Sequence, residues 1–452
     1  MIDPALSPIV KAYDVRGLAP GQLSEPVAYA LGSAFADEVG ISDGRGAAVI
    51  GHDMRSSSPA LARALGDGIR SRGADIVDIG LASTDELYAA SGRLDLPGVM
   101  VTASHNPAQY NGLKLCRAGA RPIGFDTGLR AIAELASERL DSEPLEPSGA
   151  RTERDFLSEY ADLVHRLVPV GDRPLAVVAE AGNGMAGHTV PAVFAGLPSI
   201  RLSALYFELD GSFPNHDANP LDSSTLVDLQ AAVREQGADL GLAFDGDADR
   251  CFVIDERGEL ISPSAITALI AARHLIDHPG ATILHNVICS RAVPEIVRES
   301  GGVPVRTPVG HSLIKAEMAR TDAVFGGEHS GHFYFRDFYL ADSGMVAALH
   351  VLAALAETDR PLSALMTSYE RYTASGEINS TVADQQAVLA RLRERYAAYA
   401  HDELDGLTIT ADDWWFNVRA SNTEPLLRLN VEAGDAATMQ RVRDDVLGLI
   451  GS

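Results

Sequence analysis

The sequence predicts an α/β protein: three related α/β domains with mixed, largely parallel sheets, plus a smaller α+β C-terminal domain. Three observations predict it. First, an apolar strand, a glycine-rich or polar loop, a helix and a second strand recur along the chain. The recurrences are GAAVIGHD, SSSPALARALGDGIRSRG and ADIVDIG; then RPLAVVAEAGNG, MAGHTVPAVFAG and IRLSALYF; then ATILHNV, SRAVPEIVRESG and VPVRTPVG. Strand–helix–strand alternation with short links produces parallel sheets covered by helices. Second, 452 residues are too many for a single core. Third, composition shifts mark boundaries. DSEPLEPSGA (141–150) is a linker rich in proline, serine and acid, a further boundary follows CFVIDERG, and MTSYERYTASGEINSTV ends the apolar helix expected around 345–356. The expected domains are therefore 1–146, 151–255, 256–369 and 370–452, the last carrying a charged final helix.

Bulk properties narrow the function. A net charge of −25 argues against nucleic acid and against an anionic membrane as partner. The longest apolar stretch, Ala265–Ile276, is interrupted by Arg273 and His274 and is too short to span a bilayer. The start, MIDPALSPIVKAYDVRG, lacks a basic segment followed by an apolar run, so no signal peptide is expected. Cys116, Cys251 and Cys289 are scattered and not spaced for zinc; a reduced, cytoplasmic home is expected. The sequence sets no oligomeric state. An anionic ligand would need cations gathered locally against this field. Of 37 basic residues only Lys11, Lys114 and Lys315 are lysine. Positions that keep lysine are candidates for a compact amine with an adjustable pKa, which arginine cannot supply.

DGDADR (245–250) lies between the strand-like GADLGLAF and CFVID, so it sits on a tight hairpin. Asp245, Asp247 and Asp249 repel one another unless a cation lies among them. A set of hard oxygens favours Mg²⁺ or Ca²⁺ over zinc. An EF-hand fails because Arg250 stands where the loop needs glycine and apolar CFVI follows; an acidic solvated turn is the plain alternative. GNGMAG (182–187) matches G-x-G-x-x-G, with Glu208 and Asp210 about where a ribose partner would sit. Pro191 in the following helix favours a tight strand-to-helix turn instead.

FGGEHSGHFYF (325–335) gathers Glu328, His329, Ser330 and His332 beside aromatics, a density of directional donors and acceptors suited to a sugar. RASNTEPLLRL (419–429) offers Arg419, Ser421, Asn422, Thr423 and Arg428 around a turn. Guanidiniums, hydroxyls and loop amides make a phosphate cradle; a helix cap from Ser421 and Glu424 is the alternative. TPVGHSLIK holds His311 and Lys315, and YDVRG holds Arg16.

VTASHNPAQYNG (101–112) places Ser104 beside His105. A hydrolase serine would sit in a G-x-S-x-G elbow, which is absent, and His105, as the adjacent residue, is expected to be poorly placed to deprotonate it. A serine carrying a phosphoryl group needs a metal and positioned acids and bases, and candidates for these are present. Ser104 is therefore read as a phosphoryl carrier.

Together and in this order, YDVRG, TASHNP, DGDADR, GEHSGH and RASNTEP resemble the α-D-phosphohexomutase family. GSFPNHDANPL (211–221) and the RASNTEP loop are most similar to its bacterial phosphomannomutase/phosphoglucomutase branch. Relatives acting on glucosamine phosphate more often carry GEQSGH and a glycine in the phosphate loop, where this chain has His329 and Asn422. The resemblance covers the whole chain and implies four domains around a central cleft. It implies a phosphoserine at Ser104, with Asp245, Asp247 and Asp249 binding Mg²⁺ together with a phosphoserine oxygen. Arg250 would contact phosphate or sugar, and Glu328 and Ser330 would hold sugar hydroxyls beside His329. Arg419, Ser421, Asn422 and Thr423 would bind the phosphate that is not reacting. Lys114 and His311 would serve acid–base steps, and Arg16 would aid the transferred group. The implied partners are hexose phosphates and a hexose 1,6-bisphosphate. Mannose phosphate is the expected substrate, with glucose phosphates as further substrates and glucosamine phosphate as the alternative. A nicotinamide-dependent dehydrogenase would rest on GNGMAG alone, and a calcium-binding protein on DGDADR alone.

Overall fold

A computed structural model describes residues 1–420 and 426–451, apart from the side chains of His311 and Ser312. Two compact units emerge: Met1–Ile261 with Ser330–Leu365, and Ser262–His329 with the chain from Met366 onward. Among the described residues no helix is long and apolar enough to cross a membrane.

The first unit holds two mixed sheets. One runs in the order Val15–Leu18, Tyr110–Arg117, Gly98–Val101, Ala47–His52, Asp75–Leu81, Arg151–Glu153. Ala47–His52 is parallel to both Asp75–Leu81 and Gly98–Val101. Tyr110–Arg117 returns antiparallel beside Gly98–Val101. Arg151–Glu153, just past the acidic linker, adds a parallel edge to this sheet. The central strands are apolar along their length because helices cover both faces. Helices Glu25–Glu38 and Ser58–Ser71 pack with backbones close together. A Cβ on Gly32 would lie 2.1 Å from the Leu65 carbonyl oxygen, and one on Gly68 would lie 2.1 Å from that of Tyr29. The glycines of LGSAFA and LGDGIR are thus spacers between two helices.

The second sheet runs Leu260–Ile261, Cys251–Asp255, Leu240–Phe244, Leu175–Glu180, Ile200–Leu205. Leu240–Phe244 is parallel to Leu175–Glu180 and antiparallel to Cys251–Asp255, with Phe244 opposite Cys251. The hairpin expected around DGDADR is therefore present. The serine loop and the aspartate loop each leave the carboxyl end of a parallel strand, where ligand sites of open α/β sheets form. Helix Gly344–Ala356 is apolar on every side and buried throughout, apart from its last residue.

In the second unit Val303–Thr307, Thr282–Asn286 and Phe325–Gly327 form a parallel array flanked by helices Pro263–Asp277, Ala292–Glu299 and His311–Thr321. The C-terminal part is a five-stranded antiparallel sheet, Thr373–Thr381, Leu426–Ala433, Trp414–Ala420, Leu407–Thr410, Ala400–Asp402. Helices Gln385–Arg395 and Ala436–Ile450 complete it. Leu392, Trp414, Phe416, Leu429 and Val442 form its core.

Candidate active site

Ser104 adopts φ +50°, a left-handed backbone that a non-glycine residue holds only where its surroundings demand it. Those surroundings are dominated by Arg55, whose side chain is 1% exposed. Its guanidinium donates to the carbonyls of Ser104 (2.8 Å), Asn106 (2.6 Å), Pro107 (2.9 Å) and Tyr110 (3.0 Å). Its Nε donates to Asp53 Oδ2 at 3.2 Å. One buried arginine thus ties the whole serine loop to the end of strand Ala47–His52. Phe213 lies under the same guanidinium, 5.0 Å from ring centroid to Cζ. Nothing in the sequence pattern around Arg55 marked it, because its partners lie 49–55 residues ahead in the chain.

The serine hydroxyl donates to Asp245 Oδ2 at 2.8 Å. His105 Nδ1 is 3.2 Å from Ser104 Oγ. This corrects the expectation that an adjacent histidine is badly placed, since in the left-handed turn the imidazole reaches Oγ. Burial, then the charges of Arg250 and Arg16, hold the His105 pKa well below the ordinary range. Arg16 donates to Asn106 Oδ1 and to Asp14 Oδ2, both at 2.5 Å, and so sits beside the serine loop.

Asp245, Asp247 and Asp249 are buried, and one oxygen of each lies within 4.8 Å of the others. Two side-chain cations offset part of their charge. Lys114 Nζ donates to Asp247 Oδ2 at 2.6 Å and to Asp249 Oδ2 at 2.5 Å. Arg250 Nε donates to Asp245 Oδ2 at 2.8 Å. Burial works against the Lys114 ammonium, but Asp247 and Asp249 raise its pKa well above the usual lysine value. Burial also opposes ionisation of Asp247, yet the charge and hydrogen bond of Lys114, and then the hydrogen bond of Thr84, hold it below the carboxylate range. Asp249 is pushed up, by burial and then by the charge of Asp247. Among the described residues, Asp247 Oδ1 and Asp249 Oδ1 are buried without a hydrogen-bond partner. Two orphaned carboxylate oxygens beside a third carboxylate fit a hard divalent cation. The acidic cluster can therefore hold a metal.

The glycines of GNGMAG serve this hairpin. A Cβ on Gly184 would lie 2.7 Å from the Gly246 carbonyl oxygen, and one on Gly187 would lie 2.2 Å from that of Phe207. Met185 N donates to Gly246 O at 2.9 Å. The motif is a tight turn that lets the aspartate loop approach, as its plainer reading held.

Ser330 Oγ is 3.0 Å from His332 Nδ1, while His332 Nε2 is 3.7 Å from Asp249 Oδ1. The end of GEHSGH thus reaches Asp249 through His332, which the sequence pattern placed only among sugar-suited donors and acceptors. In the second unit Glu328 is buried and accepts from Asn286 Nδ2 and Gly310 N, both at 3.2 Å. His329 Nδ1 is 3.0 Å from Ser264 Oγ, and burial lowers its pKa. His311 begins the helix His311–Thr321. Arg419 and Arg428 are cross-strand partners on the adjacent strands Trp414–Ala420 and Leu426–Ala433. They share Glu377, at 2.9 and 3.6 Å, and each keeps a buried Nε without a hydrogen-bond partner among the described residues. Ser421, Asn422 and Thr423 lie outside the described residues.

Fold and site define an α/β enzyme of serially repeated modules with a serine set against a carboxylate cluster. Comparison with known proteins gives the family. Residues 7–141, 156–258 and 263–372 match phosphoglucomutase/phosphomannomutase alpha/beta/alpha domains I, II and III, and residues 377–449 match the C-terminal domain. A phosphomannomutase of Escherichia coli is 41% identical, with 97% of this chain and 98% of that protein covered. A protein of Xanthomonas campestris named phosphohexose mutases is 40% identical, with 98% and 99% covered. The crystal structure of a phosphoglucomutase/phosphomannomutase family protein from Burkholderia thailandensis superposes with a TM-score of 0.88 at 34% identity, covering 99% and 97%. The chain belongs to the phosphoglucomutase/phosphomannomutase family and is a phosphohexomutase, an isomerase.

Proposed function

We propose that this phosphohexomutase interconverts mannose 6-phosphate and mannose 1-phosphate, with glucose phosphates as further substrates, through a phosphoserine at Ser104. The observation that carries the reading is the Ser104 hydroxyl, 2.8 Å from Asp245 Oδ2 on a loop clamped by a buried arginine. The sugar assignment is supported by relatives named phosphomannomutase at about 40% identity.

In the first transfer the free hydroxyl of the hexose phosphate attacks the phosphoserine phosphorus. The bond from phosphorus to Ser104 Oγ breaks, the sugar hydroxyl proton passes to a base, and the departing Oγ takes up a proton. The product is a hexose 1,6-bisphosphate, which turns over. Ser104 Oγ then gives up its proton and attacks the other phosphoryl group, the bond from that phosphorus to the sugar oxygen breaks, and the released oxygen takes up a proton. Lys114, held as an ammonium, suits proton delivery and charge stabilisation, and His311 completes the acid–base pair. Arg16 and Arg250 steady the transferred group. Glu328, His329 and Ser330 orient the sugar, while Arg419 with Ser421, Asn422 and Thr423 grips the phosphate at rest. Asp245, Asp247 and Asp249 would hold Mg²⁺, which supplies positive charge to the phosphoryl oxygens. Positioning and electrostatics account for most of the acceleration.

The test is a rate comparison on mannose, glucose and glucosamine 1-phosphates, each with its bisphosphate activator. The highest kcat/KM is expected on mannose 1-phosphate. A preference for glucosamine 1-phosphate would overturn the sugar assignment and leave the mutase.

A further inference from the structure

We infer that Thr84 is a positioning residue for the metal centre: it occupies one oxygen of Asp247 and reserves the other for the cation. The inference rests on the proposed metal-assisted mutase reaction. Thr84 is fully buried and opens the helix Thr84–Leu94 in the first sheet's domain. It makes two hydrogen bonds to a single residue of the DGDADR hairpin. Its backbone N–H donates to the Asp247 carbonyl at 3.0 Å, and its Oγ1 donates to Asp247 Oδ2 at 2.5 Å. Lys114 Nζ takes the remaining capacity of the same oxygen at 2.6 Å. Oδ2 is therefore saturated, and the buried Oδ1 is the one left without a hydrogen-bond partner among the described residues.

Two further observations make Thr84 a fixed point. A β-branched side chain has restricted χ1 freedom, so few rotamers compete with the one that points Oγ1 at Asp247. The first turn of its helix is also anchored. Asp85 Oδ2 accepts from Tyr160 Oη and Ser343 Oγ, each at 2.6 Å, and Ser83 Oγ accepts from Glu86 N at 3.1 Å. Side chains that orient a metal ligand typically change metal affinity 10–100-fold when lost.

Thr84→Val keeps the shape, the branching and the backbone N–H and removes only the donor. Mn²⁺ binding to the full-length protein is measured by the loss of free-ion electron paramagnetic resonance signal, alongside thermal unfolding. Thr84→Val is expected to weaken Mn²⁺ binding by about 10–100-fold, and Thr84→Ser to restore it. An unchanged Mn²⁺ Kd in Thr84→Val would overturn the inference, as would equal weakening in both variants, which marks a packing role. Failure of the wild-type protein to bind Mn²⁺ would overturn the metal-assisted reading as well. Loss in Thr84→Val alone supports both.

Discussion

Gly246, the second residue of DGDADR, is the position where a single methyl group should do most harm at least cost to the fold. A Cβ built there would lie 2.4 Å from the Ser104 carbonyl oxygen and 3.2 Å from its carbonyl carbon. Ordinary non-bonded contacts are about 3.5 Å, so the serine loop or the hairpin must retreat by about 1 Å. The loop resists, because the same Ser104 carbonyl accepts from Arg55 Nη2 at 2.8 Å. Overpacking of this kind costs about 1–3 kcal/mol of stability. A displacement of about 1 Å between reacting groups costs on the order of 10²-fold in rate. Gly246→Ala is therefore expected to stay folded, with a modestly lower Tm, and to lose about two decades in kcat. Steady-state turnover of the 1-phosphate and thermal unfolding on the same preparation check this. Wild-type kcat in a folded Gly246→Ala protein would refute the reasoning, because the serine and aspartate loops would then not need this contact.

Arg55→Met removes the donors to four loop carbonyls and strands the Asp53 carboxylate in the interior; breaking a buried ion pair costs about 3–5 kcal/mol. Chemical denaturation should show a loss of that size, and a loss below about 1 kcal/mol would contradict the brace. A pH dependence follows from His216, whose Nε2 lies 3.3 Å from Glu180 Oε1 and whose pKa is pushed up to about 9, chiefly by that carboxylate. A raised folded pKa stabilises fully below the unfolded value, about 6.5, and the gain is lost as pH rises through about 9. The Tm gap between wild type and His216→Gln should be widest near pH 6 and close above the folded pKa; a gap independent of pH would contradict the ion pair.

The elements legible in the sequence are those that obey local rules. The Phe244–Cys251 hairpin was readable from apolar runs on either side of DGDADR, and the strand–helix–strand units from their periodicity and loops. Lys114 was flagged by its rarity and lies among the aspartates. What escaped depends on burial and on distance along the chain. Arg55 sits in DMRSSS, a polar stretch between an apolar strand and a helix, yet its guanidinium organises residues 104–110. Thr84 is separated from Asp247 by 163 positions, and a threonine opening a helix is ordinarily a local feature. His332 stands in a recognised motif, but its proximity to Asp249 follows only once an isolated bridge sets Arg250 beside it. The left-handed turn at Ser104 was equally silent, and it is what brings His105 to the hydroxyl.

The central claim is that Ser104 carries the phosphoryl group, and peptide mass spectrometry of the purified protein tests it most directly. The protein would be analysed before and after addition of mannose 1-phosphate or glucose 1,6-bisphosphate with Mg²⁺. One phosphate on the peptide containing Ser104 is expected, with an occupancy that changes on adding sugar phosphate, and Ser104→Ala should abolish both the phosphate and turnover. Turnover with no phosphate on that peptide under any of these conditions would contradict the account.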